Sequence, residues 1–112
     1  MPSIARQITQ WTKKEIDNAF KASKRFFKSP PFDIRIAPRQ QSIGRLLIIT
    51  PRTSGNAPER NLFKRRAKSI FYTEKLYELP FDWILFAKKS DACHKIIKKA
   101  FLDVAEKLSA LS

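Results

Sequence analysis

The pattern of apolar and polar residues in the first third of the chain predicts one helix followed by one strand. Thr12 and Glu15 form the signature of a capping box, so the helix is predicted to begin at about residue 13. The segment Phe32–Ile36 alternates apolar and polar side chains, as a half-buried strand does. A further short strand can form near residues 26–27.

The middle of the chain predicts a strand, a loop and a long amphipathic helix. Leu46–Ile49 is apolar at every position, which is typical of a central strand buried on both faces. Asn56 and Glu59 form a second capping box, so this helix is predicted to run from about residue 57 to residue 76. Its predicted core stripe consists of four residues with helical spacing: Phe63, Ala67, Ile70 and Phe71.

The last third of the chain predicts one more strand and one more helix. Asp82–Ala87 has the composition of a buried strand, and Ser90 or Asp91 can cap the helix that follows. The apolar positions of that helix follow the 3.6-residue period: Ile97, Ala100, Phe101, Val104 and Leu108. The order helix, strand, strand, helix, strand, helix within 112 residues predicts a single domain.

The net charge of the chain favours an anionic partner. The chain has 23 Lys and Arg residues against 10 Asp and Glu residues, which gives a formal net charge of +13. Nucleic acid, an anionic membrane surface and an acidic protein could all neutralise this excess, and nucleic acid is favoured. No segment is long and apolar enough for a membrane span and the N-terminus lacks a secretory signal, so we expect a cytoplasmic protein without a membrane partner.

The sequence contains few residues of the types that form catalytic or metal sites. One cysteine, Cys93, excludes an internal disulfide, and the single histidine, His94, leaves too few soft ligands for zinc. Adjacent residues on a helix point about 100° apart, so a core thiol beside a surface imidazole is favoured over a nucleophile with its base. The acidic residues are scattered singly, and we therefore predict no catalytic residue and no metal ligand in this chain.

A cationic helix face is the main functional signal. Arg60, Lys64 and Lys68 repeat every four residues, and like charges at this spacing repel, so an external polyanion would stabilise them. The loop Gly55–Asn56 precedes the helix N-terminus, a generic geometry for binding an anion. A solvated cationic face is the alternative. The predicted nucleic-acid contacts are Arg52, Arg60, Asn61, Lys64, Arg65 and Lys68.

The segment Gly55–Lys68 resembles the signature of the protein subunit of bacterial ribonuclease P, Gly-x-Ala-Val-x-Arg-Asn-Arg-x-Lys-Arg-x-x-Arg. The chain differs from it at three positions, where Pro58 replaces Val, Leu62 replaces the second Arg of the triplet and Lys68 replaces the final Arg. The change at Leu62 removes one cation from the helix. Arg66 could compensate in part, although its side chain projects in a different direction.

This resemblance implies both a fold and a function. The fold is an α+β two-layer sandwich, with a mainly antiparallel four-stranded sheet, three helices and a left-handed β-α-β crossover. The implied partners are the catalytic RNA of ribonuclease P and precursor tRNA, from which the RNA removes the 5′ leader. Mg²⁺ is expected with the RNA subunit, the chain alone is expected to be inactive, and no small-molecule substrate is implied.

The resemblance also implies a cleft for the single-stranded leader, between the N-terminal helix and the sheet. The residues at the matching positions are Ile16, Phe20, Lys21, Phe32, Arg35 and Ile36. Phe20 or Phe32 could stack a base without reading its identity, and burial of both rings in the core is the alternative. Two other functions stay open, a general basic nucleic-acid-binding module and a protein-only nuclease, the latter disfavoured by the scattered acids.

Overall fold

The computed structural model describes residues 4–29 and 32–111. The helices and strands, in chain order, are α1 (Ile4–Gln7), α2 (Lys13–Ala22), β1 (Lys24–Ser29), β2 (Phe32–Pro38), β3 (Leu46–Ile49), α3 (Ala57–Thr73), β4 (Phe81–Ala87) and α4 (His94–Leu111). Short 3₁₀ turns lie at Arg52–Ser54 and Leu76–Glu78. Within the described ranges, no helix combines the length and apolar character needed to cross a membrane.

The four strands form one mixed sheet in the order β1-β2-β4-β3. β1 pairs with β2 and β2 with β4 in antiparallel fashion, whereas β3 and β4 are parallel. A parallel pair needs a crossover connection, and α3 supplies it. The predicted α+β architecture with a mainly antiparallel sheet is confirmed, and so is the extra strand near residues 26–27.

The register divides the sheet into two faces, because successive side chains of a strand point in opposite directions. The core face, which contributes to the main hydrophobic core together with α3 and α4, carries six residues of the two central strands: Phe32, Ile34, Ile36, Trp83, Leu85 and Ala87. The opposite face, called the second face below, carries the alternate residues: Asp33, Arg35, Ala37, Asp82, Ile84 and Phe86.

Trp83 lies at the centre of the core and is fully buried. Its ring meets that of Phe71 edge to face, with 5.6 Å between centroids, and that of Phe101 at 5.5 Å. These contacts join α3 and α4 to β4. The core stripe predicted for α3 and the apolar positions predicted for α4 are all buried, which confirms both patterns.

Strand β3 is an edge strand, so the prediction of a central strand was wrong. It pairs only with β4, and of its four residues Leu46 is fully buried while the others are half-buried. The four residues of β3 are all apolar for a reason other than burial at the centre of the sheet. Ile48 packs against the core, and Leu47 and Ile49 lie in register with the second-face residues of β4.

Two helix boundaries also differ from the pattern, and one short helix is additional. Helix α3 ends at Thr73 because Lys75 adopts the left-handed conformation, with φ of 54°. Helix α4 begins at His94 rather than after Ser90, whose hydroxyl instead lies 2.8 Å from that of Ser54. The short helix α1 was not predicted. The residue after it, Ile8, is fully buried and accepts a hydrogen bond from the backbone of β3.

Candidate nucleic-acid interface

Helix α3 presents its cations directly beside its buried stripe. At about 100° per residue, the positions next to that stripe share one side of the helix. These residues are exposed, apart from the half-buried Lys68, and we call them the α3 cationic face: Asn61, Lys64, Arg65 and Lys68. The structure therefore brings together four of the six residues that the sequence predicts for nucleic-acid contact.

A groove of about 310 Å³ runs along this face. Three of the cationic residues form one wall, and the remaining lining comes from β3 and from the segment between α1 and α2. Its lining residues are Thr9, Trp11, Leu46, Leu47, Ile48, Lys64, Arg65 and Lys68. The groove thus combines apolar and cationic walls, a combination suited to a ligand with flat rings and negative charge.

The cations of this face are unpaired within the part of the chain that the structure describes. Among the described residues, no carboxylate lies within ion-pair distance of Lys64, Arg65 or Lys68. Two lysines elsewhere do have a counter-charge, since Lys88 lies 3.4 Å from Asp33 and Lys98 lies 3.3 Å from Glu74. Other described lysines, such as Lys99 and Lys107, are unpaired as well, so the α3 cationic face is distinguished by the helical spacing that places its cations side by side.

The N-terminus of α3 is already capped. The Asn56 side chain accepts a hydrogen bond from the backbone of Glu59 at 2.9 Å, and the Glu59 carboxylate accepts one from the backbone of Asn56 at 3.0 Å. The predicted capping box is confirmed. It places a carboxylate where the loop Gly55–Asn56 was predicted to hold an anion, so the capped end disfavours a phosphate there.

The other three arginines of this region differ in their surroundings. Arg52 is exposed in the 3₁₀ turn before α3, whereas Arg60 is half-buried, and its Nε has no hydrogen-bond partner within the described part of the chain. Arg66 donates from Nη1 to the carbonyl of Ala92 at 3.0 Å. Arg66 thus ties α3 to the segment before α4.

A second candidate surface lies where α2 meets the sheet. Ile16 is half-buried, Phe20 is 41% exposed and Lys21 is exposed. Ala19, on the same helix, is 1% exposed but lies outside the main core cluster, and α2 packs against β2. Helix α2 therefore lies along the second face of the sheet and leaves a large aromatic ring in solvent.

Arg35 belongs to this surface. Its Nε donates to the hydroxyl of Ser23 at 2.8 Å and its Nη2 to the carbonyl of Ser23 at 3.3 Å. These bonds hold the guanidinium at the C-terminal end of α2. The prediction that Arg35 and the α2 residues share one surface agrees with this geometry.

Phe32 and Ile36 do not belong to this surface, contrary to the sequence prediction. Phe32 is 1% exposed, with its ring centroid 6.3 Å from that of Phe63, and Ile36 is 7% exposed. Both point to the core face because the strand alternates and Arg35 points to the other face. The three strand residues assigned to one cleft therefore cannot line it together.

The residues that take their place are not evident from the sequence. Cross-strand pairing aligns Asp33, Phe86 and Ile49 in one row of the second face, and Phe86 is 37% exposed. The neighbouring row is Arg35, Ile84 and Leu47. Because β3 and β4 are apolar almost throughout, their sequences do not reveal which residues face which side. Only the pairing of β4 with the alternating strand β2 reveals it.

A buried polar network fastens α2 to the sheet. Arg45 is 3% exposed, its Nη1 lies 3.0 Å from a Glu15 carboxylate oxygen, and its guanidinium lies 4.2 Å from the centre of the Trp11 ring. Chiefly the hydrogen bond from Arg45, with help from the backbone of Thr12, lowers the pKa of Glu15 from 4.5 to about 2. The predicted capping box of α2 is thus confirmed, and its Glu15 carboxylate also forms an ion pair with Arg45.

Asp82 completes this network from the sheet. It is fully buried and accepts hydrogen bonds from the backbone of Arg45 at 2.9 Å and of Gln40 at 3.3 Å. Burial raises the pKa of Asp82, although these bonds act in the opposite direction. Arg45 contacts Glu15 of α2 through its side chain and Asp82 of β4 through its backbone, so the role of the network is to position α2.

Neither the cysteine nor the acidic residues form a metal-binding cluster within the described part of the chain. Cys93 is exposed, in contrast to the predicted core thiol, because it precedes the first turn of α4. Backbone amides of that turn, with Ile96 first, lower the pKa of the thiol. In the ranges that can be described, no group of three or more His, Cys, Asp or Glu residues could hold a metal ion.

Comparison with known proteins gives a consistent result. The family model described as Ribonuclease P matches residues 5–109. The chain is similar to the RNase P protein of Staphylococcus aureus, with a TM-score of 0.74, 20% identity and coverage of 89% of this chain and 94% of that one. A mutant of that protein with defective mRNA degradation activity gives a TM-score of 0.77 at 19% identity, with coverage of 95% of this chain and 92% of that one.

The RNase P protein of Thermotoga maritima gives a TM-score of 0.71 at 20% identity and covers 88% of this chain and 96% of that one. No curated protein sequence gives a significant match. At this identity the solved structures support the fold, and the family model extends over nearly the whole chain.

Proposed function

The chain belongs to the ribonuclease P protein family, and from this premise we propose that it is the RNA-binding subunit of a ribonuclease P holoenzyme. In the proposed reaction the RNA subunit hydrolyses the phosphodiester bond that joins the 5′ leader to a precursor tRNA. The protein binds the RNA, reduces phosphate repulsion and holds the leader. The observation that carries this proposal is the unneutralised α3 cationic face.

The α3 cationic face suits an RNA backbone for electrostatic reasons. Lys64 and Lys68 repel each other across one helical turn, and no carboxylate among the described residues offsets that repulsion. Phosphates would offset it and release their counterions, which is the usual driving force for binding a nucleic acid. Arg65 adds a planar fork that can bind two phosphate oxygens, and Asn61 adds a neutral donor and acceptor.

The surface between α2 and the second face suits a single strand. Phe20 and Phe86 expose aromatic rings there, and rings of this kind stack on bases of any sequence. Lys21 and Arg35 supply positive charge beside them. We therefore assign the 5′ leader to this surface, with Ile16 as part of its apolar floor and with Phe32 and Ile36 excluded.

We assign the chemistry to the RNA because the described residues offer no metal-binding cluster for it. Hydrolysis of a phosphodiester by a protein usually needs converging carboxylates that hold metal ions, and the described residues contain no such cluster. Mg²⁺ would supply Lewis-acid catalysis in the holoenzyme, where we propose that the RNA subunit holds it. Residues of this chain would then act only by binding and orienting RNA.

Reconstitution tests the proposal. The purified chain is mixed with a bacterial ribonuclease P RNA at low Mg²⁺ concentration, and cleavage of a precursor tRNA is followed. We expect strong stimulation by the chain, no cleavage by the chain alone, and tighter binding of precursor than of mature tRNA by the holoenzyme. Absence of stimulation would overturn the proposal. Stimulation without preference for the precursor would retain the α3 assignment and remove the leader assignment.

A further inference from the structure

Helix α3 continues for one turn beyond its last cation. Tyr72 follows Lys68 by four residues and Arg65 by seven, so it lies on the same side of the helix as the α3 cationic face. Tyr72 is 42% exposed. The cationic face therefore ends in an exposed aromatic side chain.

A second tyrosine supports this ring from one side. The rings of Tyr72 and Tyr77 are stacked, with 6.0 Å between centroids and 27° between planes. Tyr77 is half-buried against the core, and its carbonyl accepts a hydrogen bond from the backbone of Gly44 at 2.8 Å. The partner ring is thus fixed by the fold, and it orients Tyr72.

We propose that Tyr72 is a stacking platform for an unpaired nucleobase of the bound RNA, adjacent to a phosphate held by Lys68. This inference rests on the proposed function, because it extends the same RNA-binding face. A stacked base loses water from one face of the ring and gains dispersion contact, which requires an accessible aromatic surface and no particular base. The neighbouring cations favour a nucleotide over an apolar peptide as the occupant.

The platform would also contribute binding energy of a kind that the cations do not. The helix carries Leu62 where the family signature has an arginine, and Arg66 is engaged by the carbonyl of Ala92. Stacking is largely insensitive to salt, whereas each phosphate contact adds to the salt dependence of binding. The two contributions can therefore be separated experimentally.

The test measures the affinity of the chain for a bacterial ribonuclease P RNA as a function of salt concentration, for the natural protein and four variants. Tyr72→Ala removes the ring, and Tyr72→Phe retains it. Lys64→Ala removes a phosphate contact, and Leu102→Ala removes a comparably exposed apolar side chain from α4, where Leu102 is 41% exposed. Thermal unfolding of each variant confirms that it is folded.

We expect Tyr72→Ala to weaken binding by roughly five- to 100-fold with an unchanged salt slope, and Tyr72→Phe to bind like the natural protein. Lys64→Ala should weaken binding and reduce the slope by about one. The platform is overturned if Tyr72→Ala binds normally, if Leu102→Ala has the same effect, or if the Tyr72→Ala loss changes the slope. In that case an effect of Lys64→Ala still supports the proposed function, whereas salt-independent binding by the natural protein would overturn both.

Discussion

The guanidinium of Arg45 lies 3.0 Å from the carboxylate of Glu15, and this ion pair connects the start of the edge strand β3 to the first turn of α2. The arginine is almost fully buried and lies against the face of Trp11. Because α2 carries Phe20 and Lys21, the pair fixes the position of the surface assigned to the leader. Trp11 in turn lines the groove along the α3 cationic face.

The Glu15 ion pair should make stability depend on pH in the acid range. A carboxyl group whose pKa is lowered by folding stabilises the fold fully above its unfolded value and loses this contribution as pH falls through its folded value. For Glu15 this window extends from pH 4.5 down to about 2. We expect the stability difference between the natural protein and Glu15→Gln to decrease across that window in urea titrations.

Asp82 acts in the opposite direction, because its raised pKa favours protonation in the folded state. Both proteins retain Asp82, so the effect of its burial, the main cause of the raised pKa, is common to them, whereas the smaller contribution from the Glu15 charge is lost in Glu15→Gln. Glu106→Gln, on an exposed position of α4, serves as the matched control for the removal of one carboxylate. An unchanged difference between pH 5 and 2 would contradict the assignment to Glu15.

Arg45→Met should destabilise the protein strongly. The substitution leaves the Glu15 carboxylate without its ion-pair partner and the carbonyl of Gln10 without its 2.9 Å hydrogen bond. Breaking a buried pair in this way costs about 3 to 5 kcal/mol. Chemical denaturation would measure the loss. The double variant Arg45→Met with Glu15→Gln should recover part of it, and a loss below about 1 kcal/mol would contradict a buried pair.

Lys64→Ala should weaken RNA binding without destabilising the fold. The side chain is exposed and has no ion-pair partner within the described ranges, so the substitution removes only a phosphate contact. We expect the salt slope of binding to fall by about one and the melting temperature to change by no more than about two degrees. Lys107→Ala, an exposed lysine of α4, controls for net charge. Equal effects of both variants would indicate binding through overall charge alone.

Phe20→Ala should reduce the preference for precursor over mature tRNA. The ring is 41% exposed, so its removal should cost little stability, whereas loss of a stacked base costs about 1 to 3 kcal/mol of affinity. Holoenzyme affinity for both tRNA forms would measure this effect. Phe32→Ala is the informative contrast, because that ring is buried and its removal should cost about 3 to 5 kcal/mol of stability. Equal loss of affinity for both forms would contradict a leader contact at Phe20.

Gly44→Ala should destabilise the loop before β3. A methyl group at this position would overlap the carbonyl oxygen of Phe81 and lie 3.0 Å from that of Leu79, and neither backbone atom can move freely. We expect a clear decrease in melting temperature. Ser42→Ala, at an exposed position of the same loop, is the control and should melt like the natural protein. A normal melting temperature for Gly44→Ala would show that the loop can rearrange.

The sequence predicted most of the secondary structure because local rules govern it. Both capping boxes begin their helices where Thr12 and Asn56 indicate, and the 3.6-residue stripes of α3 and α4 are buried. The edge position of β3 could not be predicted in this way. Strand order depends on pairing with β2 and β4, and an apolar run such as Leu46–Ile49 fits either a central strand or a covered edge.

The candidate site was predictable where helical spacing decides it. Spacing alone places Lys64, Arg65 and Lys68 on one side of α3, whereas it cannot show that Arg66 bonds the carbonyl of Ala92. The sequence prediction assigned Phe32 to the strand side of the second surface, whereas the structure buries this residue in the core. A shift of one residue along a strand exchanges its two faces, and only the register with β4 resolves that choice.

The parallel pairing of β3 and β4 has a consequence for the synthesis of this protein. These strands close the sheet only after α3, which lies between them, has been made, and the contact between Arg45 and Asp82 joins residues 37 positions apart. A nascent chain that ends before Phe81 already contains every lysine of α3 but not the partner strand that orients the helix. Shortened translation products should therefore attract RNA by charge alone, without docking in a defined orientation.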